Sequence, residues 1–383
     1  MQNENATLRE VVDRTAVLAK TKRLDISFNE LMDMYQSQPP ELEISPAFQR
    51  VFVWHEQQRS QFIESLLLEL PIPPIYVIEQ RDEGHYLLID GLQRMSSYLH
   101  FRGCLTNQHK GIEPGEFLKL EGCDIVPALN GKVWADLDTA LQIRLKRAFV
   151  SLQVIRKESL PDLKYHMFKR LNSGGSEISP QQIRNAYVRM LANGDRVMDF
   201  AHELAQIEAF KATCSAVLTD EQRDRQADEG FVLRFVALRN DLPNYVHDVD
   251  PFIDSFVESV ARGPEHKGGR KFDFEKEKQV FTKTFQLLAA STKELSFTYP
   301  NRGRLTAGFS SNHFEGVTLG LQPFLNRLDP ADGGQMEALD RVLKETRLGD
   351  AFRAVSAGGG RNSRGVLEKR IGIISEAVAR LFV

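Results

Sequence analysis

Residues 85–94 read His-Tyr-Leu-Leu-Ile-Asp-Gly-Leu-Gln-Arg, which sets an acid, a glycine, an amide and a guanidinium within the five positions Asp90 to Arg94. The apolar run before Asp90 has the length of a strand, and the spacing from Leu92 to Phe101 is helical. The segment therefore reads as strand, glycine turn and helix start, with Gln93 and Arg94 in the first helical turn. Backbone N–H groups at a helix start lack intrahelical acceptors, and the helix dipole adds partial positive charge there. Such a turn suits an anion, phosphate above all. By itself, an Asp-Gly pair is more often a plain chain reversal.

The surrounding pattern supplies the elements that would hold this turn. The spacing predicts a short helix opened by the capping box Ser27-Phe28-Asn29-Glu30 and running through Tyr35. A strand is expected at Leu42–Ile44, then a helix over 56–70 with Phe62, Ile63, Leu66, Leu67 and Leu70 on one face, stopped by Pro71. Ile75–Ile78 and Tyr86–Ile89 read as a hairpin. A strand near Leu118–Leu120, a helix from about Ala135 to Arg147, a strand at Val150–Ile155 and a helix over Pro161–Leu171 follow. Ser179-Pro180 supplies an N-cap and a first-turn proline. Beyond about residue 195 the strand signals fade, and helices are expected at 221–239, 250–262, 272–290, 336–347 and 365–382. The fold class is thus α+β: a domain over residues 1–195 with a small mixed sheet, then a mostly helical domain over 196–383.

The 383 residues are 42% hydrophobic and 26% charged, ample for two domains. The amino terminus lacks the order of a signal peptide. The most apolar stretch, Leu66–Ile78, is broken by Glu69 and three prolines, so no membrane span is expected. Cys104, Cys123 and Cys214 lack metal-site spacing and suit a reducing cytoplasm as plain buried thiols. The net charge of −3 is unevenly spread: residues 141–190 hold ten Lys/Arg against three acids, a local net of +7. A basic stretch in a mildly acidic chain suits a polyanion, or is a solvated helix face balanced elsewhere.

Three segments together carry a family resemblance: Gln49-Arg50 before Val53-Trp54, Asp90 to Arg94 preceded by Ile72-Pro73-Pro74-Ile75, and Asn172-Ser173-Gly174-Gly175 continuing to Ser179-Pro180-Gln181-Gln182-Ile183-Arg184-Asn185. In order and approximate spacing, over residues 44–186, they resemble the N-terminal domain of GmrSD-type restriction endonucleases, a GmrS-like group with a ParB/sulfiredoxin-like fold. Glu229 and Val232-Leu233-Arg234-Phe235 look like the usual helical continuation. Two positions depart from the family pattern. Leu92 stands where the family's turn has its first Gln, which removes a hydrogen bond to a ligand, and Gln182 replaces an acid, which weakens the case for metal binding or hydrolysis.

The resemblance implies nucleotide binding and hydrolysis tied to defence against foreign or modified DNA. On that basis Asp90, Gln93 and Arg94 are the expected catalytic residues. Arg94 would contact phosphate oxygens in bidentate fashion, and Asp90 would hold a hydrated Mg²⁺. Gln49, Arg50, Gly91, Asn172, Gly174 and Gly175 would line a nucleoside triphosphate, while Lys146, Arg147, Lys169, Arg170 and Arg184 would meet DNA. The plain alternative for Asp90 is a turn-capping carboxylate paired with Arg94 or Arg50.

No Gly-x-x-x-x-Gly-Lys-(Ser/Thr) loop is present, so an NTPase of that type is excluded. Asn312-His313 lacks the further His and Asn of an HNH nuclease, and His55, His100 and His166 are isolated. The chain is expected to end before a nuclease domain and to work with a separate nuclease or ATPase subunit. A homo-oligomer is left open. Two functions remain: an NTP-dependent sensor or regulatory subunit, and a non-catalytic DNA-binding or scaffolding module. The basic loop Glu265–Lys271 could touch a DNA backbone or be an exposed linker.

Overall fold

Ser27 opens a buried helix as its sequence suggests: its side chain accepts the Glu30 backbone N–H at 3.1 Å, and Phe28, Leu31 and Met32 face inward. In the computed structural model, residues 7–44, 54–79, 84–105, 112–156, 159, 167, 170, 179–189, 191–301, 303–358 and 360–383 are described. The chain divides into two compact units, residues 1–178 and 179–383. The expected division lay at 195/196. The structure instead groups the Ser179–Asn185 motif with the helical unit, because its side chains bond to helices there.

The first unit is α1 (Leu8–Ala16), β1 (Thr21–Ser27), α2 (Phe28–Gln36), β2 (Leu42–Glu43), α3 (Glu56–Leu67), β3 (Ile75–Glu79), β4 (Tyr86–Asp90), α4 (Leu92–Phe101), α5 (Thr139–Lys146) and β5 (Phe149–Ile155). Its five strands lie in the order β1-β5-β3-β4-β2. The β1/β5 and β3/β4 pairs are antiparallel, and β3/β5 and β2/β4 are parallel. Val77, Leu88, Val150, Leu152 and Val154 are all buried. Phe28, Phe62 and Tyr98, from α2, α3 and α4, meet at ring separations of 5.7 and 5.2 Å. Each such ring contributes about 2–3 kcal/mol by leaving water.

Two local expectations are corrected. No strand forms at Leu118–Leu120; the Leu118 N–H donates to the His100 carbonyl in the last turn of α4 and the Leu120 N–H to the loop carbonyl of Lys132, which satisfies these backbone groups without a strand partner. The helix expected from Ala135 starts at Thr139. Asp138 caps it through the Leu141 N–H, and Trp134–Asp136 forms a separate 3₁₀ turn.

The second unit contains α6 (Pro180–Val188), α7 (Gly194–Ala205), α8 (Glu208–Thr213), α9 (Asp220–Asp224), α10 (Ala227–Asp241), α11 (Val249–Arg262), α12 (Phe274–Ala290), β6 (Thr298–Asn301), β7 (Arg304–Phe309), α13 (Ser311–Gly320), α14 (Gly333–Leu348), α15 (Asp350–Ser356) and α16 (Arg364–Ala379). The β6/β7 hairpin corrects the expectation that strands end near residue 195. Phe297 packs on Phe309 and Phe314 at 6.0 and 4.9 Å, so a phenylalanine cluster holds the hairpin against α13. The cysteines are free, with Cys123 and Cys214 buried. Among the described residues no helix is long and apolar enough to cross a membrane.

His313 sits 2% exposed in this unit, its Nδ1 accepting from Arg347 Nε at 3.2 Å. Burial, then the nearby Arg347 and Arg370 charges, push its pKa down to about 3. The folded state therefore holds the ring neutral, while an unfolded histidine takes a proton near pH 6.5. Unfolding takes up that proton between pH 6.5 and about 3, so stability falls with falling pH through this window. Urea titrations of the second unit at pH 7 and pH 5 should differ by about 1.4–2 kcal/mol from this residue, and His313→Gln should remove that slope. An unchanged slope in the variant would refute the assignment.

Candidate functional site

Gly91 is the N-cap of α4, with φ 108° and ψ 10°. An added Cβ would stand 2.9 Å from Ile75 Cγ1, so glycine is required both by the left-handed backbone and by the close approach to β3. Gly91 has no side chain with which to cap α4. The strand–glycine–helix geometry expected over residues 86–101 is thus present, and α4 is buried along most of its length.

Arg94 holds the turn together. Its Nη1 donates to the Pro73 and Pro74 carbonyls at 2.5 and 2.9 Å, and its Nη2 donates to Asp90 Oδ2 at 2.9 Å. The guanidinium side chain is 10% exposed and the Asp90 side chain 28%. Consecutive prolines cannot donate backbone hydrogen bonds, but their carbonyls still need donors. A guanidinium supplies them in a rigid fork. The Ile72–Ile75 segment and the Asp90–Arg94 segment are therefore two halves of one device. The Asp90–Arg94 pairing is the plain alternative stated above. Three N–H groups of Arg94 are committed within the protein, which leaves Nε and one Nη2 hydrogen of its five for a ligand.

Gln93 Oε1 accepts the Trp54 backbone N–H at 3.1 Å, and the Trp54 ring stands 5.8 Å from Phe62. Trp54 is thereby pinned beside the turn. Gln49 and Arg50 themselves lie outside the described residues, as do Lys169, Asn172, Gly174 and Gly175. Leu92 is 7% exposed, so the departure from the family's glutamine adds to the apolar core. Among the described residues no group of three or more His, Cys, Asp or Glu side chains could hold a metal ion. A Mg²⁺ held by one carboxylate and by phosphate oxygens still fits Asp90, whose Oδ2 is bound to Arg94 and whose side chain is part-exposed.

A cleft of about 400 Å³ opens elsewhere in this unit, lined by Leu24, Ile26, Met34 and Leu152 with the carboxylates of Glu30, Asp33 and Glu41. It does not include the Gly91 turn, and its acids repel an anionic ligand.

Of the residues expected to meet DNA, Lys146, Arg147 and Arg170 are exposed on the first unit. Arg184 is not. It is 2% exposed, bound to Asp254 at 2.7 Å, Asp250 at 3.2 Å and the Gln181 side chain. The structure places this guanidinium in the interior of the second unit, where two aspartates of α11 neutralise it.

The Ser179–Asn185 motif is a set of ties. Ser179 Oγ donates to the Arg225 carbonyl at 2.7 Å, and Asn185 donates to Gln226 and Glu229 at 2.7 and 2.8 Å. Glu229 also contacts His202 Nδ1 at 2.9 Å. Gln226 is held in the left-handed region, φ 58°, at the N-cap of α10. Gln182 accepts the Ser179 N–H at 2.8 Å, completing a capping box. Glutamine and glutamate serve that box equally, so the family's acid at this position is replaced without loss of the cap. Nothing in the local sequence ties Asn185 to Glu229, 44 positions away.

These elements define an α+β protein whose sheet delivers a buried strand–glycine–helix turn. Residues 28–189 match the family model described as GmrSD restriction endonuclease, N-terminal domain. That stretch of the chain is thus similar to a GmrSD-type N-terminal domain. No curated protein and no solved structure matches the chain.

Proposed function

We propose that this protein is an NTP-binding, NTP-hydrolysing sensor or regulatory component of a restriction-like system that acts on foreign or modified DNA. The observation that carries the reading is the β4–Gly91–α4 turn, where a left-handed glycine brings the first helical N–H groups of α4 to the end of the strand bearing Asp90. Asp90 is the candidate metal-side carboxylate, and a bound Mg²⁺ would neutralise phosphate charge. Arg94 serves first as a positioning residue. It orients Asp90 and fixes the Pro73-Pro74 turn, and its Nε and remaining Nη2 hydrogens are the donors proposed to meet a phosphate. Gln93 links the turn to Trp54. Gln49, Arg50, Asn172, Gly174 and Gly175 are the further proposed nucleotide contacts.

Exposed Lys146, Arg147 and Arg170, with Lys169, are the proposed DNA contacts; Phe149, next along the chain after Arg147-Ala148, is 65% exposed and offers a ring to stack on. The partner that cuts DNA is proposed to be a separate nuclease or ATPase subunit.

The second reading, a non-catalytic DNA-binding or scaffolding module, is favoured by one observation: Leu92 buries an apolar side chain where the family offers an amide. Phosphate release from ATP, GTP and CTP, with and without DNA, separates the two. The proposed activity requires turnover that Asp90→Asn abolishes. Absence of turnover with every nucleotide would leave the scaffold reading standing.

A further inference from the structure

Helix α1 is amphipathic and buries none of its residues. Leu8, Val11 and Val12 stand at i, i+3 and i+4 on one stripe, and they are 81%, 48% and 55% exposed. A nine-residue helix that packs on nothing is marginal in water, because nucleation costs more than so few turns return. Thr7 and Glu10 close a capping box at its start, which fixes the helix end and hides no apolar surface. At 3.6 residues per turn, Glu10 and Asp13 lie opposite the stripe, whereas Arg9 and Arg14 flank it, one on each side. Arg9 meets Asp13 at 3.7 Å in an exposed pair, and Arg14 has no ion-pair partner among the described residues.

The cleft of about 400 Å³ has the complementary character. Its apolar lining comes from Leu24, Ile26, Met34 and Leu152 on β1, α2 and β5, and the exposed carboxylates of Glu30, Asp33 and Glu41 stand at its edge. None of the three makes an ion pair among the described residues. No residue of α1 lines this cleft, and the connection to β1 keeps it out. The N–H groups of Val17, Leu18 and Ala19 donate back to the Asp13, Thr15 and Ala16 carbonyls. The Lys20 N–H then donates to Ser159 Oγ at 3.0 Å, and the same hydroxyl donates to the Lys20 carbonyl at 2.9 Å. Every connecting residue is thus hydrogen-bonded, which leaves no slack for α1 to turn back over Leu24 and Ile26 of its own chain.

We propose that α1 of one copy docks in the cleft of a second copy, which returns the exchange, so that the protein is a two-fold symmetric dimer. Leu8, Val11 and Val12 would cover the apolar lining, and Arg9 and Arg14 would meet Glu30, Asp33 and Glu41. Both surfaces are present on each copy, so the symmetry makes the contact twice. A helix this short needs that doubling to approach the roughly 1,200–2,000 Å² of a stable interface. Charge decides against the simpler pairing of α1 with α1. In either direction that pairing sets the flanking arginines of one helix beside those of the other, and like charges across an interface are repelled. The acid-edged cleft offers the same arginines carboxylates instead.

The test is light scattering on size-exclusion chromatography of the full chain, from low to high micromolar concentration. The expected mass is twice that of one chain. Val11→Asp and Met34→Arg, in separate chains, should each raise the dimer Kd about tenfold or more. Mixed in equal amounts, the two variants should associate again, because one keeps an intact cleft and the other an intact α1. Where circular dichroism shows that Met34→Arg disturbs folding, the exposed position Glu30→Arg takes its place. Arg14→Glu and Glu30→Arg should each weaken the dimer, and a chain carrying both should regain most of the loss. A wild type that is monomeric at every concentration would overturn the proposal. A dimer that survives the cleft variants, or survives Val11→Asp, would overturn it as well, since another surface would then hold the copies together. Failure of the mixed variants to associate would refute the exchange.

Discussion

Arg94→Ala should unfold the first unit about 2–4 kcal/mol more easily than wild type. The change strips the donors from the Pro73 and Pro74 carbonyls and leaves Asp90 without its cation. Orphaning a buried acceptor costs about 1–3 kcal/mol, and breaking a buried ion pair about 3–5 kcal/mol. Asp90 retains some access to water, which holds the total below the simple sum. Lysine should recover less than half of the loss, because a single ammonium cannot serve three acceptors set in a fork. Both tryptophans, Trp54 and Trp134, belong to this unit, so tryptophan fluorescence in urea follows it selectively. An unshifted midpoint would show that the proline carbonyls find other donors. The same reasoning bears on function. Lost nucleotide binding in Arg94→Ala would not by itself prove a phosphate contact, whereas Asp90→Asn keeps the shape of the turn and tests the chemistry.

Replacing Glu315 should damage the second unit still more. Its carboxylate lies 4% exposed between two arginines: Arg234 Nε donates to one oxygen at 2.7 Å, and Arg370 Nη1 donates to the other at 2.5 Å. Arg370 is fully buried and also donates to the Val355 and Arg361 carbonyls. Burial lowers its pKa first, and Glu315 pulls it back up. With Glu315→Gln, two guanidinium groups face each other across a neutral amide. The expected loss is about 3–5 kcal/mol, read by far-UV circular dichroism in urea. The paired change Glu315→Leu with Arg370→Met should recover part of it, because removing both charges costs less than stranding one. Equal stability of Glu315→Gln and wild type would mean that water reaches this triad.

The parts of the fold legible in the sequence are those written in short-range chemistry. Ser27 capping Glu30, Pro180 after Ser179 and the β3/β4 hairpin all follow from residues a few positions apart. The strand–Gly91–helix turn is of the same kind, since only glycine fits its backbone. Helices α7 and α13 were not anticipated. The start of α7 at Gly194 is not capped by a side chain, and α13 is almost wholly buried, so its apolar residues show no single face.

Within the candidate site, the residue types at Asp90, Gly91 and Arg94 were legible and their partners were not. Arg94 meets carbonyls 20 and 21 positions away, and Asn185 meets Glu229. Charge alone placed Arg184 with the DNA-facing residues, yet two aspartates of α11 draw it inside.

By itself the sequence determined the capped helix starts at Ser27 and Ser179, the β3/β4 hairpin, and that one turn leaves helix N–H groups beside an acid. Propensity, capping and glycine geometry act within a few bonds and need no other part of the chain. The tertiary structure alone decided which arginines are structural and which carbonyls and carboxylates they serve. Those outcomes depend on which distant carbonyl or carboxylate arrives within 3 Å of a given donor, and only the packed chain sets that distance.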